Sequence, residues 1–144
     1  MIALDTNILV YAHREDSPFH ARAREVVGGL AEGSSAWALP WPVAHEFLAI
    51  VTHPRVYAPP SPIAAAFGFL ESLAESPTLR WIGEGPTHLS ALKELALTGK
   101  IAGGMIHDAR IAALCRAHGI KELWSADRDF SRMKGLRTRN PLTG

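Results

Sequence analysis

The amino-acid sequence predicts an α/β fold, with a parallel or mostly parallel sheet and helices on both of its faces. Two observations carry this. Short strand-like apolar runs alternate along the chain with helical stretches. No repeat, low-complexity block or linker breaks the alternation, so residues 1–144 read as one domain, long enough to bury a real core.

The elements follow in order. The first strand is Ile2–Leu4 in MIALDTNILVY, which halts on Asp5, Thr6 and Asn7 before apolar residues return at Ile8. Asp5 or Asn7 caps the next helix, or Asp5 stands at the mouth of a site. A helix follows Asp16 and is expected to end early, at Gly28-Gly29. The second strand is Ala36–Leu39, after which Pro42 opens the helix VAHEFLAIV. Prolines forbid regular structure in HPRVYAPPSP. Ser61 and Pro62 then supply an N-cap and a first-position proline ahead of IAAAFGFLESLAES. Leu79–Ile82 is the third strand, and Thr87 caps a helical segment, His88–Thr98, that ends at Gly99. TGKIAGG reads as a flexible connection, and HDARIAALCRAHG as a helix closing on Gly119. Glu122–Ser125 is the fourth strand and Leu136–Thr138 a short fifth. Trp37, Trp81 and Trp124 fall in strands and are expected in the core, whereas Trp41 falls in a loop.

Composition excludes several classes. Hydrophobic residues make up 47% and charged residues 20%, ordinary for a globular protein, and no uncharged run is long enough to span a bilayer. No basic segment precedes an apolar one at the N-terminus, so no signal peptide is read and the expected home is the cytoplasm. Cys115 is the single cysteine, which rules out an internal disulfide and a Cys-rich zinc site and suggests a small core residue. With a formal net charge of +1, a nucleic-acid partner needs a local basic patch. Arg128, Arg132, Lys134, Arg137 and Arg139 stand against one acid, Asp129, and form either such a patch or a solvated tail.

Four acids fall at informative places. Asp5 and Asp127 each lie just past a strand's C-terminal end, the edge at which open parallel sheets bind ligands, although turns there favour Asp in any case. On the helix VAHEFLAIV, Glu46 borders the apolar stripe Val43, Phe47 and Ile50, where a lone carboxylate is costly without compensation. Asp108 shares a stripe with Ile111, Ala112 and Cys115, opposite Arg110, and is equally a first-turn acid favoured by the helix dipole. Carboxylates converging on one edge raise each other's pKa unless a cation sits among them, and oxygen-only ligation suits Mg²⁺ or Mn²⁺ rather than zinc. His45 and His107 precede two of these acids. They read as surface or supporting residues, because Ala49 stands where HExxH needs its second His. No Gly-rich phosphate loop is present, and Ser125 and Cys115 lack the setting of a nucleophile.

LDTN after a short strand, the isolated Glu46, DARIAAL and SADRDF together resemble the PIN domain over nearly the whole chain. LVYAHREDSPFH, LPWPVAHEFLAIVTHPRV and RDFSRMKGLRTRNPL are similar to the VapC toxins of type II toxin–antitoxin pairs. The resemblance implies a three-layer α/β/α sandwich and a Mg²⁺- or Mn²⁺-dependent endoribonuclease that cuts tRNA or rRNA. It also implies restraint by a small VapB-like antitoxin and a homodimer. Carried over by motif, Asp5 and Asp108 are the principal metal ligands and Glu46 completes the site. Asp127 is the fourth acid, with Asp129 the alternative. Thr6 and Asn7 orient Asp5, and Ser125 stands where the family often has Thr, offering the same hydroxyl. Arg128, Arg132 and Lys134 are candidate RNA contacts, and the helices over Val26–Leu30 and Pro62–Leu73 a candidate antitoxin surface. Two other readings stay open. A non-catalytic RNA- or protein-binding module could use the same fold. A phosphatase with a nucleophilic Asp needs a second Asp where Asn7 stands.

Overall fold

Strands β1 (Ile2–Leu4), β2 (Trp37–Pro40), β3 (Leu79–Ile82), β4 (Glu122–Trp124) and β5 (Arg137–Arg139) form one sheet in the computed structural model. It describes residues 1–143, without the side chain of Asp129. Every neighbouring pair is parallel, in the order β3-β2-β1-β4-β5. The central strands are buried on both faces, β2 throughout, while β5 at the edge is mostly exposed. Helices α1 (Thr6–His13), α2 (His20–Glu32), α3 (Trp41–Val51), α4 (Ile63–Ala74), α5 (His88–Gly99) and α6 (Ile106–Ala117) complete an α/β/α sandwich. α1 packs on α2 and α3, α3 on α4, and α5 on α6. Leu4, Ile8, Trp37, Leu39, Phe47, Leu114 and Leu123 are fully buried in one continuous core. Each such side chain stabilises the fold by about 1.5–3 kcal/mol relative to exposure.

The departures from expectation have local causes. α2 does not stop at Gly28-Gly29 but runs to Glu32, because Ala23 and Val27 are buried against α1. That packing outweighs a glycine penalty of about 1 kcal/mol per residue. Ser61 is not a helix cap: its hydroxyl meets His13 Nε2 at 2.9 Å and accepts from Arg14 at 3.1 Å, and Pro62 stands at the N-cap instead. Trp41 opens α3 rather than lying in a loop, and its exposed ring stacks on half-buried Trp81 with centroids 4.2 Å apart. Of the strand tryptophans, only Trp37 is fully enclosed. Gly99 does not end α5 by adopting the left-handed conformation, since Lys100 does so, at φ 52°. Gly99 is needed for space: a Cβ there would lie 2.8 Å from the Arg132 carbonyl oxygen. Gly119 does close α6 as expected, at φ +70°, with Ile120 N–H bonded to Cys115 C=O at 2.8 Å.

This topology positions the site. β1 is flanked by β2 and by β4, so the crossovers leave it in opposite directions and open a crevice past the strand ends. The backbone N–H of Asp5 bonds the Trp124 carbonyl at 3.0 Å, joining the two strand ends there.

Candidate acidic site

β1 runs directly into α1, and Asp5 is the joint. Its Oδ1 accepts the Thr6 N–H at 2.8 Å, making it the N-cap of α1, and its Oδ2 accepts the Ser125 hydroxyl at 2.7 Å. Capping and a place at a cavity mouth are therefore not alternatives, because Asp5 has both. Ser125, buried just past β4, also accepts from the Asp127 N–H at 2.9 Å and from Asn7 Nδ2 at 3.3 Å. One donated and two accepted bonds use the full capacity of a hydroxyl. Asn7 Oδ1 accepts the Ala126 N–H at 3.1 Å, so Asn7 ties α1 to the turn after β4.

Asp5, Glu46, Asp108 and Asp127 all line one cavity of about 190 Å³, together with Thr6, Asn7, Val10, Tyr11, Ile50 and Tyr57. The acids come from the end of β1, the second turn of α3, the first turn of α6 and the turn after β4. Glu46 departs from expectation. Val43 and Phe47 are buried beside it, yet Glu46 itself is largely exposed at the rim. Asp108 and Asp127 are half-buried. α6 is buried over the whole run Ile111–Cys115 rather than along one stripe, since it is covered by α5, by the sheet and by the 3₁₀ turn Asp129–Arg132.

The electrostatics are those of crowded carboxylates. Burial pushes Asp5 up to about 6, against its Ser125 and Thr6 hydrogen bonds, and the charges of Glu46 and Asp127 push the same way. Glu46 is raised by partial loss of water and then by Asp108, with a smaller push from Asp127 and opposition from His107. Although Glu46 is exposed overall, its share of the cavity wall accounts for that partial desolvation. Cys115 is fully buried, and burial lifts its thiol to about 12, as expected of a core residue without nucleophilic use.

This donor set fits a hard divalent cation. The ionisable groups lining the cavity, apart from two tyrosines, are carboxylates, of which Asp5 and Glu46 are held up in part by their acidic neighbours, and the buried Thr6 hydroxyl beside them has no partner among the described residues. Among the described residues no three His, Cys, Asp or Glu side chains form a ready cage. Mg²⁺ does not need one, since it keeps several waters and takes one or two carboxylates directly. His45 and His107 are exposed and do not line the cavity.

The basic run is divided by the fold. Arg128 and Arg139 line a second cavity of about 410 Å³ that shares Asp127 with the acidic one. Lys134 lines a third, of about 420 Å³, at the opposite strand edge with Lys121 and Arg116. Arg132 is exposed, and the Asp129 side chain lies outside the described side chains. Reading the sequence did not single out Tyr11 and Tyr57 as walls of the acidic cavity. Tyr57 sits in the proline-rich loop, under the Arg14 guanidinium at 4.3 Å from the ring centroid, and only its tertiary contact places it.

Residues 2–136 match the PIN domain as a family. Ribonuclease VapC48 of Mycobacterium tuberculosis is 36% identical over 140 residues, 97% of each chain. Ribonuclease VapC43 of the same organism is 35% identical over 144 residues, covering 100% of this chain and 97% of the relative. Among solved structures, VapBC2 from Rickettsia felis bound to a promoter DNA fragment superposes with a TM-score of 0.70 at 21% identity, over 97% of this chain and 98% of the other. VapC20 of M. tuberculosis, a sarcin–ricin loop cleaving toxin, superposes at 0.66 with 18% identity, over 95% of this chain and 99% of the other. The match along the chain and the shared fold agree, and the protein belongs to the PIN domain family, on its VapC branch.

Proposed function

We propose that this chain is a divalent-metal-dependent endoribonuclease, the toxin of a toxin–antitoxin pair, active in the cytoplasm on tRNA or rRNA. The observation that carries the reading is the convergence of four acids, from four separate segments, on one small cavity at the switch point of the sheet. Asp5 and Asp108 would hold the ion, Mg²⁺ or Mn²⁺, with Glu46 and Asp127 completing the site. Such an ion lowers the pKa of a bound water and offsets charge developing on a phosphodiester. Ser125 and the Thr6 N–H fix both oxygens of Asp5, so its orientation is set before any substrate arrives. Asn7 locks the Ala126 backbone and with it the turn that presents Asp127. The names of the relatives and the VapBC complexes among the neighbours support a ribonuclease held by an antitoxin; the homodimer proposed for its free form rests on the family resemblance alone.

The test is antitoxin-free protein incubated with total cellular RNA, in Mg²⁺ or Mn²⁺ against excess chelator, beside Asp108→Asn. Discrete metal-dependent fragments that vanish in the variant are expected, and end-sequencing them names the target. A folded protein that cuts nothing with either metal would leave the non-catalytic binding module.

A further inference from the structure

We propose that the cavity beside the acidic site is the groove for the RNA backbone, with Arg128 and Arg139 binding phosphates next to the scissile one. The proposal rests on the ribonuclease reading above.

Three observations carry it. The groove of about 410 Å³ adjoins the acidic cavity, with Asp127 in the wall of both. A strand lying in it is therefore next to Asp127 and within reach of the other acids. Its lining also suits a polyanion: two exposed arginines stand among the neutral polar groups of Ser131, Thr138 and Asn140. Asn140 Oδ1 already accepts the Leu142 N–H at 3.0 Å, which leaves its amide hydrogens to donate. Finally, the two arginines, like Arg24, Arg55, Arg80 and Arg132, form no ion pair with a described carboxylate, which leaves their charge available to an anion. Arg14, Arg22, Arg110, Arg116 and Arg137 each pair with a carboxylate. Arg139 is nonetheless held in place. Its guanidinium lies over the Trp124 ring at 5.4 Å, and its backbone carbonyl accepts the Ser125 N–H at 2.9 Å. The arrangement ties a phosphate-binding side chain to the residue that orients Asp5.

The third cavity is the internal control. Lys121 and Lys134 carry similar charge, but they stand where β4 and β5 begin, at the edge away from the acids. A strand bound there does not reach Asp5.

The experiment measures binding of the full chain to a fluorescein-labelled single-stranded RNA twelve-mer by anisotropy, in excess chelator so that nothing is cut, across a salt series. Cleavage of the same RNA in Mg²⁺ or Mn²⁺ is followed in parallel. For the Arg128→Ala/Arg139→Ala double variant the expected result is binding weakened about tenfold or more, with a log K against log salt slope shallower by about 1.4, two single-strand phosphate contacts. KM is expected to rise with kcat little changed. Arg139→Lys should recover most of the slope, and Lys121→Ala should match wild type in both assays. Matched thermal melts keep a folding defect from counting as a binding one. A double variant that binds with wild-type affinity and slope, in a protein that cleaves, overturns the groove and leaves the nuclease standing. Arginine-dependent binding by a protein that cuts nothing supports the groove and removes the nuclease. Neither binding nor cleavage by wild type overturns both.

Discussion

The two edges of the parallel sheet carry opposite designs. At the edge where the strands end, a cavity of about 190 Å³ gathers four carboxylates, one of them buried and fixed by two hydrogen bonds. At the edge where β4 and β5 begin, a cavity of about 420 Å³ has an apolar floor including Leu95, Ala112, Ile120 and Leu136, with exposed Lys121 and Lys134 above it. The larger hollow is the less organised one. Its lysines are solvated and adaptable, whereas the acids are held against their own repulsion. Constraint on charge separates the two edges better than room does.

The comparison breaks most readily at Asp5 and Asp108. Asp5→Asn or Asp108→Asn is expected to lower RNA cleavage by about 10²–10³-fold or more, on the scale of losing one organised electrostatic group. Circular dichroism should remain that of wild type. Full cleavage by both variants would dissolve the distinction between the edges.

Ser125→Ala comes next. It leaves Asp5 Oδ2 without its donor and takes the acceptor from Asp127 N–H and Asn7 Nδ2. Cleavage should fall about 10–100-fold, and stability by about 1–3 kcal/mol in urea unfolding, while Ser125→Thr keeps most of both. Equal loss in the Ala and Thr variants would show that shape, and not the hydroxyl, matters there.

Acidity gives a third measurement. Asp5 has its folded pKa raised from 3.8 to about 6, so between those values the folded chain keeps a proton that the unfolded chain has released. The contribution of this group to metal-free stability therefore falls as pH rises from about 4 to about 6, by roughly 3 kcal/mol at most, and it is fully present only below the unfolded pKa. Thermal melts across that range should show the fall. Asp5→Asn should remove it, and saturating Mn²⁺ should raise Tm at pH 7 more than at pH 5, because bound protons compete with the ion. The smallest effect belongs to the other edge. Lys121→Ala should change stability by no more than about 0.5 kcal/mol and leave cleavage unaltered.

Much of this was legible in the sequence where local chemistry decides the outcome. Strand β1 and strand β3 fall on the residues expected, and Gly119 closes α6 because a left-handed residue is needed there. The four acids do meet at one cavity, since strand ends and helix starts are visible as apolar runs halting on polar residues. What the sequence hid depends on partners distant along the chain. Gly28-Gly29 looks like a helix stop until Ala23 and Val27 are seen buried against α1. Ser61 resembles a cap, but His13 and Arg14 claim its hydroxyl from 48 and 47 residues away. Glu46 borders an apolar stripe on a helical projection, yet nothing in that projection says that the adjoining surface opens to solvent. The run of basic residues near the C-terminus looks continuous because sequence distance ignores β5, which carries Arg139 to one edge of the sheet and leaves Lys134 at the other.

The bond from Ser125 to Asp5 joins residues 120 positions apart. During synthesis the orienting hydroxyl follows Asp5 by many seconds, at roughly 5–20 residues per second. Until β4 has emerged and docked beside β1, the N-terminal carboxylate has no fixed direction and no neighbouring Asp127. The acidic cavity is therefore assembled only once translation has passed β4. The same span means that a chain ended anywhere between those two strands lacks both Ser125 and Asp127, so a truncated product cannot assemble the acidic cavity.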